Sequence, residues 1–286
     1  MSAPPAGTIA WIAAAPVKGL RLHSLNRAEL TSDGIPGDRA FFLVDSSGEM
    51  VSATRLGPLL GVIADHDRAA GRLALRMPGG AEVGGPVELG DPEPVSFYGE
   101  ALRARAVHGP FSEALTEVAG APLRLFASPP GRPGVDRGRQ GAVTILSVAS
   151  LERLREVAAA KEPVDERRFR MTVGVDGVEA HGEDAWIGRR IQLGEAVVEV
   201  GGHVGRCAAT TRDPESGAVD FKTLHHLAAY RSDVPSEEPL PFGVYGAVVK
   251  PGPIALGDRV GPLSPGWPGR ELGGGAQGAE SRTATS

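Results

Sequence analysis

The sequence predicts a mainly β protein with a few helices, an α+β chain made of an N-terminal β-barrel-like module and a C-terminal β-barrel. Three observations carry this. Forty glycines and 24 prolines cut the 286 residues into short segments. The apolar runs between them have strand length and strand composition, as in TIAWIA, FFLVD and AVVEV. Helical spacing of apolar residues is confined to SVASLERLREVAAA and FKTLHHLAAYR.

In order along the chain, residues 8–13 read as a strand, and HSLNRAEL from His23 as another. FFLVD at 41–45, followed by the turn signal DSSGEM, predicts a hairpin over 41–53. IADHDRAAGRLALRMPGG repeats the strand, glycine turn, strand pattern. ASPPGRPGVDRGRQG at 127–141 is rich in Pro, Gly and Arg, and reads as a mobile loop or linker. AVTILS is a buried-strand pattern, and in the helix after it Leu151, Leu154 and Val157 share a face, with a serine placed to cap it. From residue 168 the pattern returns to β in RFRMTVGVDG, RRIQLGEAVVEVGG and FGVYGAVVKPGPIALGDRV. The expected division is a module over 6–126, the linker 127–141, a barrel over 142–263 and a disordered tail over 264–286, which lacks apolar periodicity.

Composition excludes several functions. A net charge of −5 gives no electrostatic reason for a nucleic acid or anionic membrane partner. A single cysteine rules out an intrachain disulfide framework, a four-cysteine iron–sulfur cluster and a multi-cysteine zinc site. The N-terminus lacks a basic region and its apolar stretch is broken by Pro16 and Lys18, so no signal peptide is expected and the cytoplasm is the default compartment.

That cysteine, Cys207, lies in VGGHVGRCAATTRDPESG. A lone cysteine is ordinarily a small buried hydrophobe. Here Gly201, Gly202 and Gly205 surround it, which permits close approach of a ligand, and Arg206 adjoins it. A nearby cation favours the thiolate that binds metals and attacks electrophiles. Lys18 in APVKGLRL and Arg39 in DGIPGDRAFFLV sit at chain turns, where a solvated surface charge is the ordinary reading. In a strand, Arg168 and Arg170 of RRFRMTV share a face, and an arginine opening a buried strand needs an anion: a phosphate or a carboxylate of this chain. His203 is either a proton donor to the site or a strand-end cap. His225 and His226, adjacent on a helix, cannot both face one pocket.

Taken in order, PVKG, GIPGDRAFFLVD, LSVASL, RFRMTV, AWIGRRIQLG, GRCAATTRDPESG and FGVYGAVVKPGPIALGDRV resemble a MOSC-domain protein with its N-terminal β-barrel module. This is the family of the molybdenum cofactor sulfurase C-terminal domain and the amidoxime-reducing components, and the resemblance covers residues 8–262. It implies that Cys207 is the protein ligand of molybdenum in a molybdenum cofactor (Mo-molybdopterin), whose dithiolene sulfurs supply the rest. It implies that Lys18, Arg39 and Arg170 bind the pterin phosphate, with Ser147 near it and Arg206 among the cofactor-binding residues, and that Thr211 and Asp213 brace the cysteine loop. The chain departs from the family where Gly19 replaces a serine and Met171 and Thr172 replace Pro and Asn.

The implied activity is oxygen-atom transfer from an N-hydroxylated or N-oxygenated small molecule, with His203 as the candidate proton source. With no further cysteines in the chain, the electrons are expected from an external donor such as a ferredoxin or flavin reductase. Two alternatives stay open: a sulfur carrier using a Cys207 persulfide, and a non-catalytic molybdopterin-binding module. Pyridoxal phosphate binding, a family-level descriptor, finds no matching lysine motif in a helix–loop context, which argues against a desulfurase.

Overall fold

The computed structural model describes residues 6–129 and 138–263. Part of the expected linker, 130–137, and the tail at 264–286 therefore lie outside the described residues; Gly138–Gly141 form a short 3-10 turn.

The chain begins with β1 (Gly7–Ala14), β2 (His23–Leu25) and β3 (Arg27–Leu30). Then come β4 (Phe41–Asp45), β5 (Met50–Val51), β6 (Ile63–Asp67), β7 (Arg72–Arg76), β8 (Glu82–Pro86), β9 (Glu88–Phe97), β10 (Glu100–His108), helix α1 (Phe111–Ala119) and β11 (Leu123–Ala127). The second half holds β12 (Val143–Ser147), α2 (Val148–Val157), β13 (Val173–Asp176), β14 (Arg190–Leu193), β15 (Ala196–His203), α3 (Thr223–Arg231), β16 (Val244–Lys250), β17 (Gly252–Ala255) and β18 (Arg259–Pro262).

Seven strands close a barrel in the order β13-β12-β16-β15-β14-β18-β1, and β1 pairs back onto β13. The closing strand comes from the far N-terminus. β1 lies antiparallel to β13 and β18, β2 extends the sheet beside β1, and β3 pairs with β17. Spatially, β1, β2 and β3 thus belong with the C-terminal barrel, whereas Val17 and Leu20 pack into the core of the second body. β12 and β13 are parallel, and α2 lies in the crossover such a pair requires. Closure leaves the barrel's alternating apolar residues, among them Ile9, Ile12, Ile145, Val173, Val198 and Val244, in one buried core. Trp11 on β1 lies opposite Gly174 on β13, where a Cβ would sit 1.9 Å from the indole ring, so only glycine lets the ring cross the strand.

The second body is a five-stranded sheet, β5-β4-β11-β10-β9, with a three-stranded sheet β6-β7-β8. FFLVD reads as an unbroken apolar run because both of its faces are buried. Phe41 and Leu43 pack with Leu73, Leu75, Phe111 and Leu125 on one side. Phe42 and Val44 pack with Phe97 and Phe126 on the other, where Phe42 meets Phe97 edge-on at 5.3 Å. Such an aromatic pair adds about 0.5–1.5 kcal/mol beyond its area burial.

The stretch RFRMTV is not the strand its alternation predicts. Glu166–Phe169 form a 3-10 turn capped by the Asp165 side chain, Arg170 follows in the left-handed region (φ 54°), and the strand begins only at Val173. Arg168 and Arg170 therefore share no strand face. The helix after β12 begins where expected, but Ser147 does not cap it with its side chain. Its hydroxyl donates instead to the carbonyls of Val178 and Glu179, and the fully buried Glu183 carboxylate accepts from the Ser147 amide and the Ser150 hydroxyl. Among the described residues no helix is long and apolar enough to cross a membrane.

Candidate functional site

Between the barrel and the second body lies a cavity of about 220 Å³. Each body contributes to it through chain turns. Val17 bridges to Phe41, and the Lys18 amide donates to the Phe41 carbonyl at 2.8 Å, which seats Lys18 beside the start of β4. The turn at Asp38–Arg39 is fixed to the end of β1: the Ala15 amide donates to Asp38 Oδ1 and the Arg39 amide donates to the Ala15 carbonyl, both at 2.7 Å. Arg39 is buried, ion-paired with Asp38, and its Nη2 donates to the Arg170 carbonyl at 3.1 Å. The loop after β5 brings Ser52, Ala53 and Thr54 to the cavity, and the β9–β10 turn brings Tyr98.

Cys207 is exposed and lines this cavity. It follows β15 and caps the 3-10 turn Ala208–Thr211 with extended backbone, its carbonyl accepting from the Thr210 amide and hydroxyl. Thr54 Oγ1 lies 3.8 Å from its sulfur. Lys18, Arg39, Arg168, Arg170 and Arg206 line the same cavity, and among its described lining residues none is Asp or Glu. Asp38 pairs with Arg39 and Asp220 with Arg168, so the cavity's charge toward a ligand rests chiefly on Lys18 and Arg170; with one exposed thiol beside them it suits an anionic ligand that also reaches sulfur.

Lys18, Arg39, Arg170 and Cys207 thus come together as the sequence reading requires. Four other predicted residues lie outside the cavity. Ser147 is fully buried among Val178, Glu179 and Glu183 and does not line the cavity, so it is not a phosphate contact. His203 points from the end of β15 towards Asp184, 3.4 Å away on the far side of the strand, because side chains alternate across it while the cavity takes the residues after the strand. Thr211 and Asp213 do not line it either: the Thr211 hydroxyl donates to the Ala208 carbonyl. The Asp213 carboxylate accepts from the amides of Glu215 and Ser216 and from the Ser216 hydroxyl, which holds it well below the usual carboxylate range. They shape the cysteine loop and its following turn. His225 and His226 also lie away from the cavity.

Arg206 touches the cavity, yet its guanidinium serves the fold. It donates to the carbonyls of Phe242 and Phe169 and to Met171 Sδ at 2.9 Å, and rests 5.3 Å from the Phe169 ring. The unusual Met171 supplies that sulfur acceptor, and Thr172 exchanges hydrogen bonds with Thr144 where the neighbouring strands β12 and β13 begin to pair. Gly19 stands at φ +91°, where a side chain would be strained. The open question of what pairs Arg168 is answered by Asp220, which accepts from both of its terminal nitrogens at 2.6 and 2.7 Å. Sequence reasoning missed Thr54, Tyr98 and Arg212. Arg212 donates to the Thr54 carbonyl and the Gly217 carbonyl, both at 2.8 Å, tying the cysteine loop to the second body. A lone arginine in TTRDP carries no local signal of such a reach; only the surplus charge of the motif hinted at it.

The MOSC N-terminal beta barrel domain matches residues 6–118, and the MOSC domain matches residues 131–261. Mitochondrial amidoxime reducing component 2 of Bos taurus is 27% identical over 284 residues, covering 89% of this chain and 82% of that protein. The Homo sapiens protein of the same name is 37% identical over 98 residues, 32% of this chain and 29% of the human one. Molybdenum cofactor sulfurase of Oryza sativa subsp. japonica is 24% identical over 247 residues, covering 76% of this chain and 30% of its own length.

Proposed function

The chain belongs to the MOSC-domain proteins with a MOSC N-terminal beta barrel domain, and from that premise we propose that it binds a molybdenum cofactor and reduces N-hydroxylated or N-oxygenated small molecules. One observation carries the reading: an exposed thiol shares a cavity with Lys18 and Arg170, while the other lining cations, Arg39, Arg168 and Arg206, are engaged by Asp38, Asp220 and backbone carbonyls. A pterin phosphate needs the cations and a sulfur-bound metal needs the thiolate. In this reading the dithiolene sulfurs of the cofactor would supply the remaining metal ligands.

When bound, the molybdenum centre supplies the two-electron chemistry of oxygen-atom transfer. The chain's own residues do the rest. Cys207 would hold the metal and Lys18 and Arg170 would bind the phosphate, while Arg39 fixes Arg170 through its carbonyl. Thr54 borders the sulfur. Cleavage of the N–O bond consumes protons to form N–H and water. His203 does not line the cavity, and we propose that these protons are drawn from solvent at its mouth. An external electron donor returns the electrons.

The test uses protein purified with its metal, reduced by an artificial low-potential donor and given an amidoxime and a hydroxylamine. Formation of the amidine and the amine is expected. Protein loaded with molybdenum and pterin that reduces neither compound with any donor contradicts the proposal. Sulfane sulfur on a metal-free Cys207 establishes the sulfur-carrier alternative in its place.

A further inference from the structure

The β9–β10 hairpin turns through two residues, Tyr98 and Gly99, between the paired Phe97 and Glu100, and both adopt positive φ (53° and 80°). Such a turn favours Asn or Gly at its first position, because a Cβ is strained there. This chain places a tyrosine in it and leaves the ring 58% exposed; of the exposed large hydrophobic side chains among the described residues, it alone is aromatic. The ring is nevertheless held. It packs edge-on against Phe97 at 5.3 Å, Phe97 is anchored on Phe42 in the core, and the Lys18 ammonium lies 5.3 Å from the Tyr98 centroid and 5.7 Å from that of Phe97. Tyr98 lines the same cavity as Cys207.

A strained, water-exposed aromatic is destabilising where it stands, and neither the turn nor the core requires it. We infer that Tyr98 is the specificity-determining residue at the cavity mouth, a platform on which planar, π-conjugated N-hydroxylated substrates such as aryl amidoximes stack while their N–O group reaches towards Cys207. The inference rests on the proposed reduction for the substrate's reactive group, but the recognition of a flat ring is a property of Tyr98 itself. Offset stacking on a held ring contributes enough to change affinity about tenfold, which an alkyl amidoxime does not gain.

The experiment compares wild type, Tyr98→Phe and Tyr98→Asn, purified with whatever cofactor they carry. Asn suits the turn, so the variant that removes the ring is not expected to unfold. Equilibrium binding of benzamidoxime and acetamidoxime is measured by calorimetry, alongside KM and kcat for both and the molybdenum content. Tyr98→Asn should weaken benzamidoxime about tenfold in Kd and KM, leave acetamidoxime and kcat as in wild type, and keep its metal; Tyr98→Phe should match wild type. Equal binding of both compounds to all three proteins, or equal loss of both in Tyr98→Asn, overturns the assignment. So does loss of metal in Tyr98→Asn, which would make the ring a support for Lys18. If wild type binds benzamidoxime selectively but reduces nothing, the proposed reaction fails and the role of Tyr98 stands.

Discussion

Arg212, in the turn after the cysteine, donates to the backbone carbonyl of Thr54 at 2.8 Å, and the hydroxyl of that same threonine lies 3.8 Å from Cys207 Sγ. One guanidinium therefore registers the second body against the cysteine loop. Beside it the two backbones nearly touch: a Cβ on Gly217, at φ +74°, would lie 1.9 Å from the Gly57 carbonyl oxygen. Arg212→Ala leaves two carbonyls without their donor and should cost about 1–3 kcal/mol. Gly217→Ala, forbidden by both space and φ, should cost more than about 2 kcal/mol. Thermal or urea unfolding of the two variants checks both values, and an unchanged Gly217→Ala midpoint would contradict the close approach.

Glu183 gives stability a pH dependence. Burial pushes its carboxyl up to about 7 from an ordinary 4.5. Below the ordinary value it is neutral folded or unfolded, and its full contribution is present. Between about 4.5 and 7 the unfolded chain ionises while the buried carboxyl keeps its proton, so up to about 3 kcal/mol is lost as pH rises. His181 has the opposite sense: burial lowers it from 6.5 to about 4, so its contribution is present above 6.5 and lost as pH falls towards 4. Glu183→Gln keeps the bonds to Ser147 and Ser150 without the charge. It should be more stable than wild type at pH 8 and should reveal the His181 slope, with stability falling from pH 6.5 to 4. Parallel pH profiles for wild type and variant would exclude this account.

His203 tests the site's boundary. Its side chain is nine-tenths buried against Asp184 and outside the cavity. His203→Ala should cost about 1–3 kcal/mol of stability and leave kcat at saturating substrate unchanged. A general acid at this position would instead lose about a hundredfold or more in rate. Steady-state kinetics decide between the two.

The cations divide by role. Lys18→Ala and Arg170→Ala should each weaken binding of inorganic phosphate or pterin phosphate about tenfold, the worth of a charge-assisted hydrogen bond, and flatten its salt dependence. Arg206→Ala should act on the fold, at about 2–4 kcal/mol, because the buried carbonyls of Phe242 and Phe169 lose their donor. Calorimetric titration and unfolding, run side by side, separate these effects.

Much of the fold was legible because its signals are local. FFLVD is a run buried on both faces, Leu151 and Leu154 follow helical spacing into the core, and the glycine turns of IADHDRAAGRLALR separate two paired strands. Barrel closure was not, because β1 meets β13 and β18 across most of the chain and no local pattern records the pairing. Periodicity misled at RFRMTV, where alternation suited a strand but a left-handed Arg170 ends a 3-10 turn instead. In the site, the turns around Lys18 and Arg39 read alone as surface charges, and only the family resemblance grouped them with Cys207, beside which the structure places them at one cavity. Ser147 and His203 were misplaced because a motif gives nearness along the chain, and the direction of a side chain is set by the strand that carries it.

The most direct measurement is the molybdenum and pterin content of wild type and Cys207→Ser purified side by side. Wild type should carry both in near-equal amounts. The variant, altered at one exposed atom, should keep its unfolding midpoint and lose the metal. Equal molybdenum in the two proteins, or wild type without any molybdenum after expression in a cofactor-producing host, would contradict the assignment of Cys207 as its ligand.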